Sequence, residues 1–293
     1  RLLSGQFSNG GALPVISKDF EAGKQKMIPA EEFRSDDCQW FFNAVPCFVA
    51  ETGNFDFFNR VVPYADKGED TVYGHLKQAL LFNLERMGKD GLPCGLLADW
   101  NDCLKLGYHG ESLFVAFQLR LGLTTYADIS KRLGKNDEAD WALSERKKLD
   151  ENIQKKCWDG KWFIRCITDS GKFIGSEKEE QAKIWLNSQS WSVISGMGDD
   201  EKKISAMDSV KKYLDTELGI KKIEPSITID YPTKDGNLTS YNKGCGENGS
   251  VFCHANTWAI IAECMLKRPE NAYKYYHQLL PVIAQQKAGE WRY

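Results

Sequence analysis

The chain has only four histidines, and none of its cysteines form a C-x-x-C pair. The metal-binding patterns H-E-x-x-H and Asp-x-Asp-x-Asp-Gly are both missing, and His109 and Glu111 lie close together without the required spacing. No G-x-G-x-x-G pattern follows a predicted strand, and G-x-x-x-x-G-K-[ST] is missing as well. The sequence therefore predicts neither a metal site nor a nucleotide cofactor.

The 293-residue chain also lacks a strong excess of either charge and any long apolar run. Its formal net charge is -3 with the signs intermixed, so a basic nucleic-acid-binding face is excluded. No apolar stretch approaches the roughly 18 residues that a membrane span requires. Residues Arg1-Leu2-Leu3-Ser4 do not show the charged-then-apolar pattern of a secretory leader, and the nine scattered cysteines are typical of reduced thiols. The sequence predicts a cytoplasmic globular protein without a nucleic-acid or membrane partner.

Helical periodicity dominates the chain. Leu76, Leu80 and Leu84 predict a helix that stops before Gly88, because apolar side chains recur there every three or four residues. Further helices are predicted at roughly 36–52, 113–133, 139–153, 188–197, 201–218, 254–267 and 270–287. With about eight helices, the chain is predicted to be all-α.

Strand signals are confined to two places. The turns Asp159-Gly160 and Ser170-Gly171 predict a small β-hairpin inserted over 157–175. Residues 223–231 alternate apolar and polar side chains and predict a short strand, and 232–250 has the composition of a long ordered loop. Because no low-complexity linker separates these segments, one domain over 1–293 is the simplest organisation.

The most informative segment is Asp99-Trp100-Asn101-Asp102, which places two carboxylates, an indole and an amide in four consecutive positions. A carboxyl group can protonate a glycosidic oxygen, an indole can pack on a pyranose, and an amide can bond to ring hydroxyls. The alternative is an ordinary surface loop with an Asx-turn. Flanking leucines favour a polar site held on a scaffold, so we expect Asp99, Trp100 and Asp102 to contact a sugar.

A second group combines Glu247 with His254, which lies near the start of a predicted helix. Backbone N–H groups at a helix N-terminus attract anions, and an imidazole beside them could bind phosphate or sulfate. A hydrogen-bonded core or capping histidine has about equal weight.

Two further groups are less specific. Asp36 and Asp37 follow Arg34, and adjacent acids of this kind suit either helix capping or a rigid carboxylate that accepts two sugar hydroxyls. Gln189 lies in a segment that ends at Trp191 and mixes amide and indole groups as the 99–102 segment does.

Three segments together resemble the inverting disaccharide phosphorylases of glycoside hydrolase family 94, such as cellobiose and chitobiose phosphorylases. They occur in the family's order, and the resemblance extends over nearly the whole chain. The segments are Ser35-Asp36-Asp37 with Trp40, the run from Gly91 to Leu104, and Glu247-Asn248-Gly249 with His254 and Trp258.

The resemblance implies a cytoplasmic enzyme on an (α/α)6 barrel, a helical toroid of which this chain would be a catalytic domain truncated at both ends. Inorganic phosphate, as co-substrate, would cleave a β-linked disaccharide to an α-sugar 1-phosphate without a cofactor. Cellobiose is the first expected substrate, ahead of laminaribiose and chitobiose. The family's N-terminal β-sandwich and C-terminal Thr-Gly phosphate loop are expected outside this chain, and the full-length enzyme is expected to be a homodimer.

The resemblance also implies roles for the candidate residues. They are general acid for Asp102, glycosyl binding for Trp100 and Asp37, a place near the acceptor sugar for Glu247, and phosphate binding for His254. Arg34 is a further sugar-binding candidate whose spacing departs from the family, and Asp99 and Gln189 complete the predicted substrate-binding set. The chemistry agrees with this, because phosphate is already an anionic nucleophile and needs no catalytic base.

Two other interpretations remain open at this point. An inverting hydrolase on the same fold would use Asp102 as acid and Glu247 as base, and it would turn over without phosphate. A non-catalytic sugar-binding fragment would show sugar affinity and no turnover.

Overall fold

The computed structural model describes residues 1–102, 104, 106–228 and 241–288. Contacts divide the chain into two compact units, unit 1 over Arg1–Asn152 and unit 2 over Ile153–Tyr293, and the division falls inside a long helix. The single-domain organisation expected from the sequence stays a prediction.

Helices make up most of the regular structure, as the sequence predicted. The described residues contain nine α-helices: α1 Phe41–Thr52, α2 Val72–Leu84, α3 Leu113–Arg132, α4 Asn136–Lys156, α5 Leu186–Ile194, α6 Asp200–Tyr213, α7 Cys253–Met265, α8 Pro269–Gln278 and α9 Pro281–Ala288. None of the helices in this described part is long and apolar enough to cross a membrane.

Side-chain caps fix where the two central helices of unit 1 begin. The Thr71 hydroxyl accepts the Gly74 N–H at the start of α2, and the Ser112 hydroxyl accepts the Val115 N–H at the start of α3. These bonds satisfy backbone donors that have no partner within the helix. The starting points of α2 and α3 are therefore fixed by the side chains of Thr71 and Ser112.

Helices α1, α2 and α3 pack closely around Gly122. A Cβ atom at this position would lie 2.9–3.0 Å from side-chain atoms of Phe42 on α1 and Leu80 on α2. Only a glycine allows this approach, and the surrounding side chains on α3, such as Leu119 and Leu123, are fully buried. The core of unit 1 therefore lies around the middle of α3.

Short strands accompany the helices of unit 1, in addition to the hairpin that the sequence predicted, and the chain remains mostly helical. Strands β1 (Val61–Pro63) and β2 (Glu69–Thr71) pair antiparallel, as do β3 (Cys94–Leu96) and β4 (Gly107–Ser112). The register shifts between Cys94 and Leu96, and Leu96 has a left-handed backbone with φ 55°. A bulge of this kind bends a strand and redirects the residues that follow it.

Unit 2 contains the predicted inserted hairpin, with β5 (Cys166–Ile167) paired antiparallel to β6 (Phe173–Ile174). Two pairs were not predicted: β7 (Ile184–Trp185) with β10 (Ile223–Glu224), and β8 (Asp215–Thr216) with β9 (Gly219–Ile220). The predicted strand 223–231 ends at Glu224, and residues 229–240 lie outside the described residues.

Three helix predictions need correction at their ends. The segment predicted as 36–52 opens as a 3₁₀ turn over Asp37–Trp40 before α1 begins. The helix predicted to reach residue 218 ends at Tyr213, because the β8–β9 hairpin follows it directly. The span 270–287 is two helices, because Pro281 has no N–H to continue α8 and instead starts α9.

A buried ion pair joins α7 to α8 in unit 2. Arg268 donates to both carboxylate oxygens of Glu263, at 2.6 and 3.0 Å, and also to Asp208 at 2.6 Å. The Glu263 side chain has no exposed surface. Burial raises the pKa of Glu263, and the Arg268 guanidinium opposes that rise.

We expect Arg268→Met to reduce the free energy of unfolding by about 3–5 kcal/mol at pH 8, because it leaves a buried carboxylate without its cation. The loss should shrink as the pH falls and Glu263 takes up a proton. Urea unfolding at both pH values measures this. Lys24→Met is the control, because the Lys24–Glu21 pair is mostly exposed and should contribute under about 0.5 kcal/mol. Equal losses in the two variants would contradict the prediction.

Candidate active site

Two motifs that lie more than 60 residues apart in the sequence meet in unit 1. The Leu97 N–H donates to the Phe33 carbonyl at 3.1 Å, and the Ser35 N–H donates to the Ala98 carbonyl at 2.9 Å. Through these bonds the segment before the 99–102 motif pairs with the segment before the paired aspartates. The backbone therefore places both acidic motifs side by side.

An ion pair joins the two motifs at the surface of unit 1. Arg34 Nη1 lies 2.7 Å from Asp102 Oδ1, and the two side chains are 34% and 56% exposed. The sequence-predicted acid is therefore accessible to solvent and lies against the predicted sugar-binding arginine. This contact is the direct link between the two predicted groups.

Asp36 and Asp37 lie next to this ion pair, with Asp36 buried and Asp37 half-buried. Asp36 is 2% exposed and accepts the Trp40 indole N–H at 2.8 Å. Burial raises the pKa of Asp36 well above its usual range, and the charges of Asp37 and Asp99 raise it further. Burial likewise raises the pKa of Asp37 to about 7; the Arg34 guanidinium opposes this shift, and the Asp102 carboxylate adds to it.

Asp99 is the buried residue at the start of its motif, with 1% exposure. Its Oδ1 accepts the Asn101 N–H at 2.8 Å and its Oδ2 accepts the Ser112 hydroxyl at 2.7 Å. Direct contact between Asp99 and a sugar stays a prediction. Trp100, by contrast, is partly exposed, and its ring centroid lies 6.5 Å from that of Phe114.

In unit 2, Glu247 and His254 are found with a lysine that sequence reasoning missed. Lys222 is 1% exposed, and its Nζ lies 3.9 Å from Glu247 Oε1 and 4.7 Å from the centre of the Phe252 ring. Its only signal in the sequence is a position within the apolar alternation around residue 223, where a lysine is unexpected.

His254 lies exposed in the first turn of α7, with its ring 4.7 Å from that of Trp258. Desolvation lowers the pKa of His254, and the positive charge of Lys222 lowers it further. The imidazole is therefore neutral at pH 7 and can donate one N–H to an anion. The start of α7 and the Lys222 ammonium both contribute positive charge here, and the Glu247 carboxylate offsets part of it.

Gln189 is fully buried and clamps one residue of the chain. Its carbonyl accepts the Phe163 N–H at 2.9 Å, and its amide donates to the Phe163 carbonyl at 2.8 Å and to the Trp185 carbonyl at 3.0 Å. Asn248 grips the N–H and C=O of Ile227 in the same way, both at 2.7 Å. Sugar binding by Gln189 stays a prediction, and the observed bonds are structural.

Unit 1 thus brings together the predicted residues Arg34, Asp37, Asp99, Trp100 and Asp102, and adds Asp36. Unit 2 places Glu247 and His254 near Lys222. No group of three or more His, Cys, Asp or Glu side chains within the described ranges is arranged to hold a metal ion.

Solved sugar-cleaving enzymes share this fold. A glycosidase variant in complex with glucose matches 92% of the chain and 64% of its own length, with a TM-score of 0.59 and 11% identity. A family 78 rhamnosidase from Bacillus sp. GL1 matches 88% of the chain and 22% of its own length, with a TM-score of 0.52 and 18% identity.

The model of the catalytic domain of the Glycosyl hydrolase 94 superfamily matches residues 1–292. The chain belongs to this superfamily. It is 35% identical to the N,N'-diacetylchitobiose phosphorylase of Vibrio proteolyticus, over 96% of this chain and 37% of the relative. It is 37% identical to the N,N'-diacetylchitobiose phosphorylase of Vibrio furnissii, over 84% of this chain and 31% of the relative. It is 31% identical to the solabiose phosphorylase of Paenibacillus borealis, over 84% of this chain and 33% of the relative. The chain therefore spans about a third of the length of these relatives.

The raised pKa of Asp37 predicts a cost to stability at high pH. The folded state holds the Asp37 proton up to about pH 7, whereas an unfolded aspartate releases it near pH 3.8. Ionisation therefore weakens folding increasingly as the pH rises between these values. We expect Asp37→Asn to raise Tm by about 2–4 °C at pH 8, with the gain shrinking towards pH 4.

Thermal melts across this pH range measure the effect. Asp19→Asn is the control, because Asp19 is exposed and should leave Tm unchanged at every pH. A Tm for Asp37→Asn at or below that of the parent protein at pH 8 would contradict the assignment.

Proposed function

We propose that this chain is the catalytic part of an inverting disaccharide phosphorylase, folded as an (α/α)6 barrel. Membership of the Glycosyl hydrolase 94 superfamily supports the proposal. The observation that carries it is the pairing of an accessible Asp102 with Arg34, next to a buried Asp36 and a half-buried Asp37. One accessible acid beside a sugar-binding set is what phosphorolysis requires of the protein.

In this proposal Asp102 protonates the glycosidic oxygen as the bond to the leaving sugar breaks. The Arg34 guanidinium, now 2.7 Å from Asp102, has to turn away before that carboxyl group can carry a proton. Oxygens of the bound substrate are suitable new partners, because a guanidinium donates through several N–H groups. Substrate entry would thus release the acid for its role.

Asp37 and Trp100 are proposed to hold the glycosyl unit. A carboxylate can accept two neighbouring hydroxyls, and the indole can cover the apolar face of the ring. Because the pKa of Asp37 is about 7, its ability to accept from both hydroxyls should increase as the pH rises through neutrality.

Phosphate binding is proposed for His254 and acceptor binding for Glu247. The neutral imidazole donates one N–H to the anion, and the start of α7 supplies a favourable field. Lys222 adds positive charge near both residues and balances the Glu247 carboxylate. The attacking phosphate oxygen forms the new bond at the anomeric carbon, on the face opposite the leaving oxygen, which inverts the configuration.

We expect Asp102→Asn to lower kcat for phosphorolysis by roughly 10²–10⁴-fold, because it keeps the shape of the side chain and removes the donated proton. Release of sugar 1-phosphate from a β-disaccharide plus phosphate measures it. Asp19→Asn is the matched control and should keep full activity. Turnover in phosphate-free buffer that Glu247→Gln abolishes would identify a hydrolase instead. Sugar binding without turnover would identify a non-catalytic module.

The substrate assignment shifts from the cellobiose expected at first. Two of the relatives are N,N'-diacetylchitobiose phosphorylases, so we place N,N'-diacetylchitobiose before cellobiose and laminaribiose. In the synthetic direction we expect the N-acetylglucosamine 1-phosphate donor to give at least about tenfold higher kcat/KM than glucose 1-phosphate, which corresponds to about 1.4 kcal/mol of transition-state binding. A panel of both donors with glucose and N-acetylglucosamine acceptors decides this, and preference for glucose 1-phosphate would restore cellobiose.

A further inference from the structure

The side chain of Asp99 is used inside the protein, on both of its oxygens. One oxygen fixes the Asn101 N–H at 2.8 Å and the other fixes the Ser112 hydroxyl at 2.7 Å. Because the first bond closes a turn over residues 99–101, it sets the direction in which the chain leaves towards Asp102. Asp99 thus orients the turn on which Trp100 and Asp102 stand.

Ser112 connects this turn to the most deeply buried helix of unit 1. Its hydroxyl donates to Asp99 and also accepts the Val115 N–H at 3.3 Å, which caps α3. Its own N–H donates to the Pro93 carbonyl at 2.8 Å. Ser112 has no exposed surface, so its side chain cannot touch a ligand directly. Any effect of Ser112 on a reaction is therefore indirect, and its hydrogen bond to Asp99 is the contact that leads to the 99–102 turn.

The residue before it strengthens the same attachment. Glu111 accepts the Leu92 N–H at 2.9 Å and the Asp90 N–H at 3.1 Å. The side chains of Glu111 and Ser112, at the end of β4, therefore hold the start and the end of the segment 90–99, which includes β3.

We propose that Ser112 is a positioning residue, which through Asp99 holds the turn that presents Asp102 to the substrate. The proposal rests on the function proposed above, because it takes Asp102 as the acid. A group that transfers a proton has to be held within about 0.5 Å of its productive position, and small displacements can lower the rate about 10²-fold. The hydrogen bond from Ser112, which caps α3, to Asp99, at the start of the turn, meets that requirement.

A purely structural cap would explain the same bond to Val115, and unit 1 contains a matched control for that role. Thr71 caps α2 by accepting the Gly74 N–H at 3.0 Å, much as Ser112 caps α3. It lies twelve residues before Asn83 on α2, about 18 Å along the helix axis. Asn83 is the residue of α2 whose amide bonds to the Ser35 carbonyl. Loss of the Thr71 cap should therefore lower stability without disturbing the turn.

The test compares Ser112→Ala with Thr71→Ala in the full chain. We expect comparable decreases in Tm for both variants. Only Ser112→Ala should lower kcat, by about 10–100-fold, with KM changed less than about twofold. Asp99→Asn should lower kcat similarly, and the double variant with Ser112→Ala should lose little more than either single variant, because both changes break one contact. Additive losses, or a change in KM alone, would overturn the proposal.

Hydrogen exchange supplies a readout that does not need activity. The Asn101 N–H is protected by Asp99, so a peptide covering residues 97–104 should exchange at least about tenfold faster in Ser112→Ala and unchanged in Thr71→Ala. If the parent protein has no phosphorylase activity but this difference appears, the proposed function fails and the positioning contact stands. If Ser112→Ala does not fold, Asp99→Asn is compared with Thr71→Ala in the same assays. Unchanged exchange in the variant tested would overturn the proposal.

Discussion

The pairing of the Phe33–Ser35 backbone with Leu97 and Ala98 is the constraint on which the unit 1 site depends. Two backbone bonds hold together segments that carry the paired aspartates and the acid-bearing turn. These bonds allow Arg34 to lie 2.7 Å from Asp102. They also bring together the four carboxyl groups of the site, those of Asp36, Asp37, Asp99 and Asp102. The irregularity at Leu96 lies at the same point, because Leu96 pairs with Gly107 of β4 and also bridges to Arg34.

The neighbouring carboxyl groups of this site repel one another electrostatically. The charges of Asp37 and Asp99 raise the pKa of buried Asp36, the Asp102 carboxylate raises that of Asp37, and Arg34 is the cation that opposes the shift at Asp37. A protein selected for stability alone would not bury neighbouring carboxyl groups in this way. The arrangement therefore has an unfavourable electrostatic energy, which any group that donates hydrogen bonds to these oxygens would reduce.

The helical architecture could be predicted from the sequence because it depends on local patterns. The 99–102 segment could be singled out as a candidate for the same reason, and the roles of its residues stay predictions. Periodic leucines such as Leu76 and Leu80 identified α2, and glycine turns identified the inserted hairpin. Strands β3 and β4 were missed because one is three residues long and the other, Gly107–Ser112, reads as polar loop. Lys222 and Ser112 were missed because their roles come from tertiary contacts: one is a lysine within an apolar alternation, the other a serine before an apolar helix.

Side-chain amides hold the main chain at three places in unit 2. Gln189, Asn248 and Asn256 each hold the N–H and the C=O of a single residue, at positions 163, 227 and 220. Each clamp grips main-chain atoms alone, so any amino acid except proline satisfies it at the gripped position. The gripped residues Phe163, Ile220 and Ile227 are themselves buried, so packing in the core, and not the clamp, restricts which side chains these positions accept.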